Sequence, residues 1–250
     1  MRHKFGDWIM IDPISGEIFY VDKPLKWTSF DAVKRIRGVL TRRTGRKKLK
    51  VGHAGTLDPL ATGVLVVCTG KATKRIDELQ AHVKEYVATI ALGATTPSFD
   101  LETDVDNIYE WEHITRELVD SIIPRFTGSI SQVPPAFSAC KVDGKRAYKI
   151  ARKGRPVELK AKELVIDEIE VLEFEPKKLV IRVVCSKGTY IRALARDIGI
   201  ALNSGAHLTA LRRTRVGDIR VESCRQVDEI IEYLQDVEIS IPEENGTMNK

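Results

Sequence analysis

Gly52-His53-Ala54-Gly55-Thr56-Leu57-Asp58-Pro59-Leu60-Ala61-Thr62-Gly63-Val64-Leu65-Val66-Val67-Cys68-Thr69-Gly70-Lys71-Ala72-Thr73-Lys74 is the stretch from which the rest of the chain is read. Asp58 stands before Pro59, whose ring disfavours helical dihedrals in the preceding residue. Gly52, Gly55 and Gly63 permit turns or close backbone approach. The apolar run at 64 to 68 predicts a strand, which puts Asp58 on an irregular loop carried by a rigid frame. On spacing alone an Asp-Pro pair more often only caps a turn. Gly70-Lys71 also invites comparison with a phosphate-binding loop. That motif fails, because six residues separate Gly63 from Gly70 and Ala72 stands where a magnesium-binding hydroxyl is needed.

Working outward, the segment before this stretch has helix punctuation. Residues 17 to 21 read as a strand, and Thr28-Ser29-Phe30-Asp31 has the form of a capping box. Phe30, Val33, Ile36 and Leu40 follow at near-helical spacing, which predicts a helix over 29 to 40. Beyond the stretch, a short helix is expected near 73 to 80. A strand at 84 to 93 should put Tyr86, Ala88, Ile90 and Leu92 on one face. A polar loop over 93 to 108, a helix over 116 to 123 capped by Thr115, and strands at 164 to 174 and 179 to 185 come next. Thr189 is read as the cap of a helix carrying Ile191, Leu194, Ala195 and Ile198 inward, and a last helix at 226 to 235 precedes a polar tail over 241–250.

The 250 residues are 43% hydrophobic, enough for a proper core in one large domain or two small ones. Cys68, Cys140, Cys185 and Cys224 are too far apart for a metal-ligand pattern and read as buried free thiols of a reducing compartment, with no structural zinc. No apolar run reaches membrane-spanning length, and residues 1 to 8 lack the apolar core of a signal peptide. A cytoplasmic protein with no membrane association is expected.

The net charge of +5 is modest, but the cations cluster. Residues 42 to 50 hold six: Arg42, Arg43, Arg46, Lys47, Lys48 and Lys50. Residues 141 to 155 hold seven, Lys141, Lys145, Arg146, Lys149, Arg152, Lys153 and Arg155, interleaved with Tyr148 and opposed by Asp143 alone. Charge runs commonly line solvated loops. Cations mixed with an aromatic also suit folded RNA, which is read through phosphate, shape and stacking.

Residues 52 to 74 resemble the signature of the TruB family of pseudouridine synthases, the bacterial enzymes that modify the T-arm uridine at position 55 of tRNA. Further matches follow in the family's order through Tyr86, Asp100, the block at 127–157, the segment Cys185 to Gly199, and Gly205 to Gly217. The resemblance implies an α+β pseudouridine synthase fold: a mixed, largely antiparallel sheet flanked by helices, with a thumb-like RNA-binding insertion at about 127–157. It implies a single catalytic domain over 1–240, with no C-terminal RNA-binding (PUA-type) domain.

By the same resemblance Asp58 is the nucleophile, Arg192 its ionic partner, Tyr190 the group that handles the proton at uracil C5, and Tyr86 the stacking platform. Lys23, His53, Lys74 and Leu211, with Lys141, Lys145, Arg146 and Arg152 of the thumb, would bind substrate. Lys149 departs from the acid more usual in the family. No cofactor is implied, tRNA is the expected partner, and a monomer without an obligate protein partner is expected. Two rivals remain at this level: a noncatalytic RNA-binding or RNA-folding protein on the same scaffold, and an RNA glycosylase using Asp58 to activate water.

Overall fold

The computed structural model describes residues 10–138, 140–142, 144–153 and 155–241; the side chains of Lys141, Val142 and Lys145 lie outside that description. The chain divides into two compact units, residues 10–82 with 218–241, and residues 83–217.

In the first unit the strands Ile18–Lys23 and Val51–Ala54 each pair antiparallel with Ala61–Thr69, and Arg225–Gln226 adds a parallel partner to Ile18–Lys23. Helix Ser29–Thr44 starts as expected from a reciprocal box, Thr28 accepting from the amide of Asp31 while Asp31 accepts from that of Thr28. Gly45, left-handed at φ 69°, ends it. Ala32, Val33, Ile36 and Leu40 of this helix and Ile230 and Leu234 of helix Val227–Asp236 pack with Phe19, Val21, Leu65 and Val67 of the sheet to form the core. Phe30 is a correction. It is 56% exposed and lies beside the Arg37 guanidinium, 5.7 Å from the ring centroid, because the buried stripe is filled by Ala32 and Val33.

The expected short helix at 73 to 80 is a 3₁₀ stretch, Gly70–Arg75, running into helix Ile76–Ala81. Gly70 has φ +48°, and a Cβ there would lie 2.1 Å from the carbonyl oxygen of Ile14 and 2.5 Å from that of Pro13. Neither is the end of a flexible side chain. Gly70→Ala is therefore expected to cost about 2 kcal/mol or more, visible as a lowered Tm in thermal denaturation.

In the second unit the strands run in the order Ala206–Val216, Lys84–Leu92, Lys178–Cys185, Lys162–Glu175, Gly128–Gln132, all antiparallel. Lys84–Leu92 alternates strictly, with Lys84, Tyr86, Ala88, Ile90 and Leu92 buried. Helix Ile191–Ala201 packs on Ala206–Val216 and buries Ile191, Leu194, Ala195 and Ile198, the set read from sequence. Its cap is a second correction. Tyr190, not Thr189, is the cap residue and makes no side-chain cap bond, because the Thr189 hydroxyl donates instead to the carbonyl of Ser186. The helix at 116 to 122 does begin at Thr115, which accepts from the amide of Leu118, and it continues as a 3₁₀ stretch through Pro124.

Gly128–Gln132 is the edge strand of that order. The excursion that follows carries a hairpin, Lys141–Val142 with Lys145–Arg146, and the short helix Ala147–Ala151. The thiols do not all match the expected burial: Cys68 and Cys185 are buried, whereas Cys140 and Cys224 are partly exposed, and all four are free. Among the described residues no helix is long and apolar enough to cross a membrane.

Candidate active site

Asp58 lies half-buried in the non-repetitive segment that links Val51–Ala54 to Ala61–Thr69. The loop is fastened at three successive residues. The Ser29 hydroxyl donates to the carbonyl of Leu57 at 3.0 Å and accepts from its amide at 2.8 Å. The Asp58 carbonyl accepts from Ala61 at 3.0 Å, and the Pro59 carbonyl accepts from Lys26 at 2.8 Å. Ser29 is 2% exposed, so its removal would leave the buried amide and carbonyl of Leu57 without those bonds.

Lys23 secures the same loop from below. Its side chain is completely buried, and its ammonium donates to the carbonyls of Pro24 and Trp27 at 2.9 and 2.6 Å. Those bonds hold the turn from which the Lys26 amide, at φ 66°, reaches Pro59. Lys23 thus buttresses the turn that the loop is tied to. His53 is half-buried on strand Val51–Ala54, and Lys74 is exposed at the end of the 3₁₀ stretch. In the basic run Arg43 is committed to the fold, donating to the carbonyls of Leu234 and Val237 at 2.9 and 2.6 Å; Lys47, Lys48 and Lys50 are exposed.

In the second unit Tyr86 is 8% exposed and stands in register with Val183 on one side and Arg213 on the other. Arg213 and Lys84 are buried cations that the sequence reading passed over. Burial, with the Arg213 charge added to it, pushes the Lys84 amine down to about 8. The signal that could have found Lys84 was period-two alternation, since it falls on the same face as Tyr86.

Tyr190 is held at both backbone polar groups by one amide. Its N–H donates to Gln132 Oε1 at 2.9 Å, and its carbonyl accepts from Gln132 Nε2 at 3.2 Å. Gln132 is 1% exposed and ends the edge strand, so the sheet itself orients the tyrosine. The phenol oxygen lies 3.2 Å from Cys140 Sγ.

Arg192 is 4% exposed. Its guanidinium donates to the carbonyls of Ser98 and Phe137 at 3.0 and 2.9 Å and stands 3.6 Å from Asp100 Oδ2. Asp100, 6% exposed, closes its own loop by accepting from the Glu102 amide and by receiving the Thr96 and Ser98 hydroxyls on its carbonyl. The arginine therefore joins the 93–108 loop and the 133–138 segment to the start of its helix.

Leu211 is half-buried on strand Ala206–Val216, opposite Ala88. On the excursion Arg146 is exposed, and Arg152 pairs with Glu102 and lies 5.4 Å from the Tyr148 ring centroid. Lys141 and Lys145 are placed only as hairpin backbone, and their side chains lie outside the described residues. Among the described residues no group of three or more His, Cys, Asp or Glu side chains is placed to hold a metal.

The chain as a whole is similar to known proteins. The profile of the TruB family pseudouridylate synthase N-terminal domain matches residues 42–191, and that of the tRNA pseudouridylate synthase B C-terminal domain matches residues 192–240. The tRNA pseudouridine synthase B of Phocaeicola vulgatus is 68% identical over 224 residues, covering 90% of this chain and 95% of the relative. That of Flavobacterium johnsoniae is 50% identical, covering 89% of this chain and 97% of the relative. Among solved structures, a chain of a Cbf5-Nop10-Gar1 complex is similar with a TM-score of 0.65 and 30% identity. That match covers 88% of this chain and 55% of the other.

Proposed function

The chain belongs to the TruB family of pseudouridine synthases, and from that premise we propose that it isomerises uridine 55 in the T-arm of tRNA, with Asp58 as the nucleophile. At the coarser level it is an isomerase that acts on RNA, converting uridine in tRNA to pseudouridine. The observation that carries the finer reading is the fastening of residues 57, 58 and 59 by Ser29, Ala61 and Lys26, which fixes the backbone that presents a carboxylate. A group that only capped a turn would not call for the buried Ser29 and the buried Lys23 behind it.

The reaction breaks the bond from ribose C1′ to uracil N1, turns the base and joins it through C5; C5 gives up a proton and the freed N1 takes one from solvent, so atoms balance without an oxidant or a reductant. Asp58 divides this into two easier steps by a transient adduct or by stabilising a cationic sugar. In this reading Arg192 keeps the carboxylate ionised and oriented, Tyr86 stacks on the uracil after it has left the helix stack, and Tyr190 handles the C5 proton. The exposed Lys47, Lys48, Lys50 and Lys74 and the thumb cations Arg146 and Arg152, with Lys141 and Lys145, meet phosphates; His53 helps to hold the displaced RNA or a phosphate, and Leu211 is the counterpart of the family's pocket leucine. The two units act as one catalytic domain, a cytoplasmic monomer.

The position is tested with a T-arm minihelix: modification is expected with uridine at 55 and none when that residue is cytidine. Modification of the cytidine-substituted minihelix at another uridine would contradict the assignment. Affinity is expected to fall steeply with salt. With about six phosphate contacts, tRNA binding should weaken by about 10³ between 50 and 200 mM salt, measured by filter binding. A flat salt response would remove the basic surfaces from the account.

A further inference from the structure

A neutral phenol is a poor base. With an ordinary pKa near 10, only about one tyrosine in 10³ is ionised at pH 7, so Tyr190 needs an outlet for its own proton if it is to take one from carbon. Its hydroxyl has such a neighbour. Cys140 Sγ lies 3.2 Å from the Tyr190 oxygen, and the Lys162 ammonium, from the first residue of strand Lys162–Glu175, donates to the same sulfur at 3.7 Å. The Cys140 amide donates to Ser138 Oγ at 3.4 Å, and the Cys140 carbonyl accepts from Ala147 at 2.7 Å, so the thiol's backbone is tied on both sides.

We propose that Cys140 is a positioning residue for the isomerisation, its sulfur receiving the Tyr190 hydroxyl proton as Tyr190 takes the proton from uracil C5. The inference rests on the synthase reading above. The step balances: the C5–H electron pair returns to the ring and restores the C5–C6 double bond, N1, freed from C1′, takes a proton from solvent, and the C5 proton becomes the new phenol proton. The former phenol proton forms S–H, and the thiol then yields it to solvent, leaving a thiolate held by Lys162. No oxidant or further reactant enters.

The charge balance around the sulfur fits this role. Burial raises the Cys140 thiol, but hydrogen bonds from Tyr190 and Ser138 and the charge of Lys162 outweigh it, and the net shift is below the ordinary thiol value. The titratable groups that act on it are Tyr190, from the head of helix Ile191–Ala201, and Lys162, from the adjacent strand. Cys68 and Cys185, by contrast, are pushed up to about 11 by burial and are poor proton acceptors as thiolates near neutrality.

The test uses the full chain with Cys224→Ser to remove the other partly exposed thiol. Iodoacetamide alkylation of Cys140 is followed against pH, and single-turnover tritium release from C5-labelled tRNA is followed in parallel. The acidic limb of tritium release is expected to follow the alkylation curve. Tyr190→Phe and Lys162→Gln should each move the alkylation curve to higher pH. Cys140→Ala should slow release by about 10²-fold at pH 7 and shift its limb upward, with tRNA affinity unchanged, and Cys140→Ser should behave like alanine because an alcohol does not ionise there. Wild-type release with an unaltered rate and limb in Cys140→Ala and Cys140→Ser would overturn the relay alone. A wild-type protein that releases no tritium would overturn the synthase reading, and the relay with it.

Discussion

Asp58→Asn is expected to fold, to bind tRNA with wild-type affinity and to release no measurable tritium from uridine C5, a loss of about 10⁴-fold or more. The substitution keeps the side chain's size and removes the negative charge, so the attacking or cation-stabilising group is lost while the shape of the loop is kept. Folding is expected to survive because the loop's bonds run through the backbone of Leu57, Asp58 and Pro59 and through Ser29 and Lys26, none of which needs the Asp58 carboxylate. Single-turnover release, tRNA filter binding and far-UV circular dichroism on the same preparation check the three parts. Residual turnover within tenfold of wild type would remove Asp58 from the chemistry.

Arg192→Met is expected to lose both activity and stability. The guanidinium is 4% exposed and serves two carbonyls and the Asp100 carboxylate, which is itself 6% exposed. Removing one member of a buried pair leaves the other charge unpaired, which costs about 3–5 kcal/mol. For a chain of this length, that lowers Tm by roughly 10 °C. Arg192→Lys should recover little, since one ammonium cannot span partners arranged for a planar fork. The double variant Arg192→Met/Asp100→Asn should regain part of the stability, and the cycle measures the pair. A shift of less than about 1 kcal/mol in Arg192→Met would contradict the structural role.

The sequence foretold what local rules govern. The Thr28 box, the alternation from Lys84 to Leu92 and the glycine-punctuated loop at Asp58 are short-range patterns, and each is present in the fold. What escaped depends on partners distant in the chain. Ser29 bonds Leu57 across 28 residues, Gln132 bonds Tyr190 across 58, and Cys140 meets Tyr190 across 50. Nothing near Ser29 or Gln132 marks them as clamps. Phe30 and Thr189 misled for the opposite reason, because each obeyed a local rule that a nearby competitor satisfied instead: Ala32 and Val33 fill the buried stripe, and the Ser186 carbonyl takes the Thr189 hydroxyl. Family likeness rather than spacing singled out Asp58 as a nucleophile, and the fastening of its loop is physical support that spacing did not contain.

Product balance on an unmodified, C5-tritiated tRNA transcript tests the central claim most directly. The account predicts one tritium released per tRNA from the uridine at position 55, an intact RNA chain and no free uracil. Release of free uracil, or no tritium release despite salt-sensitive tRNA binding, would contradict it.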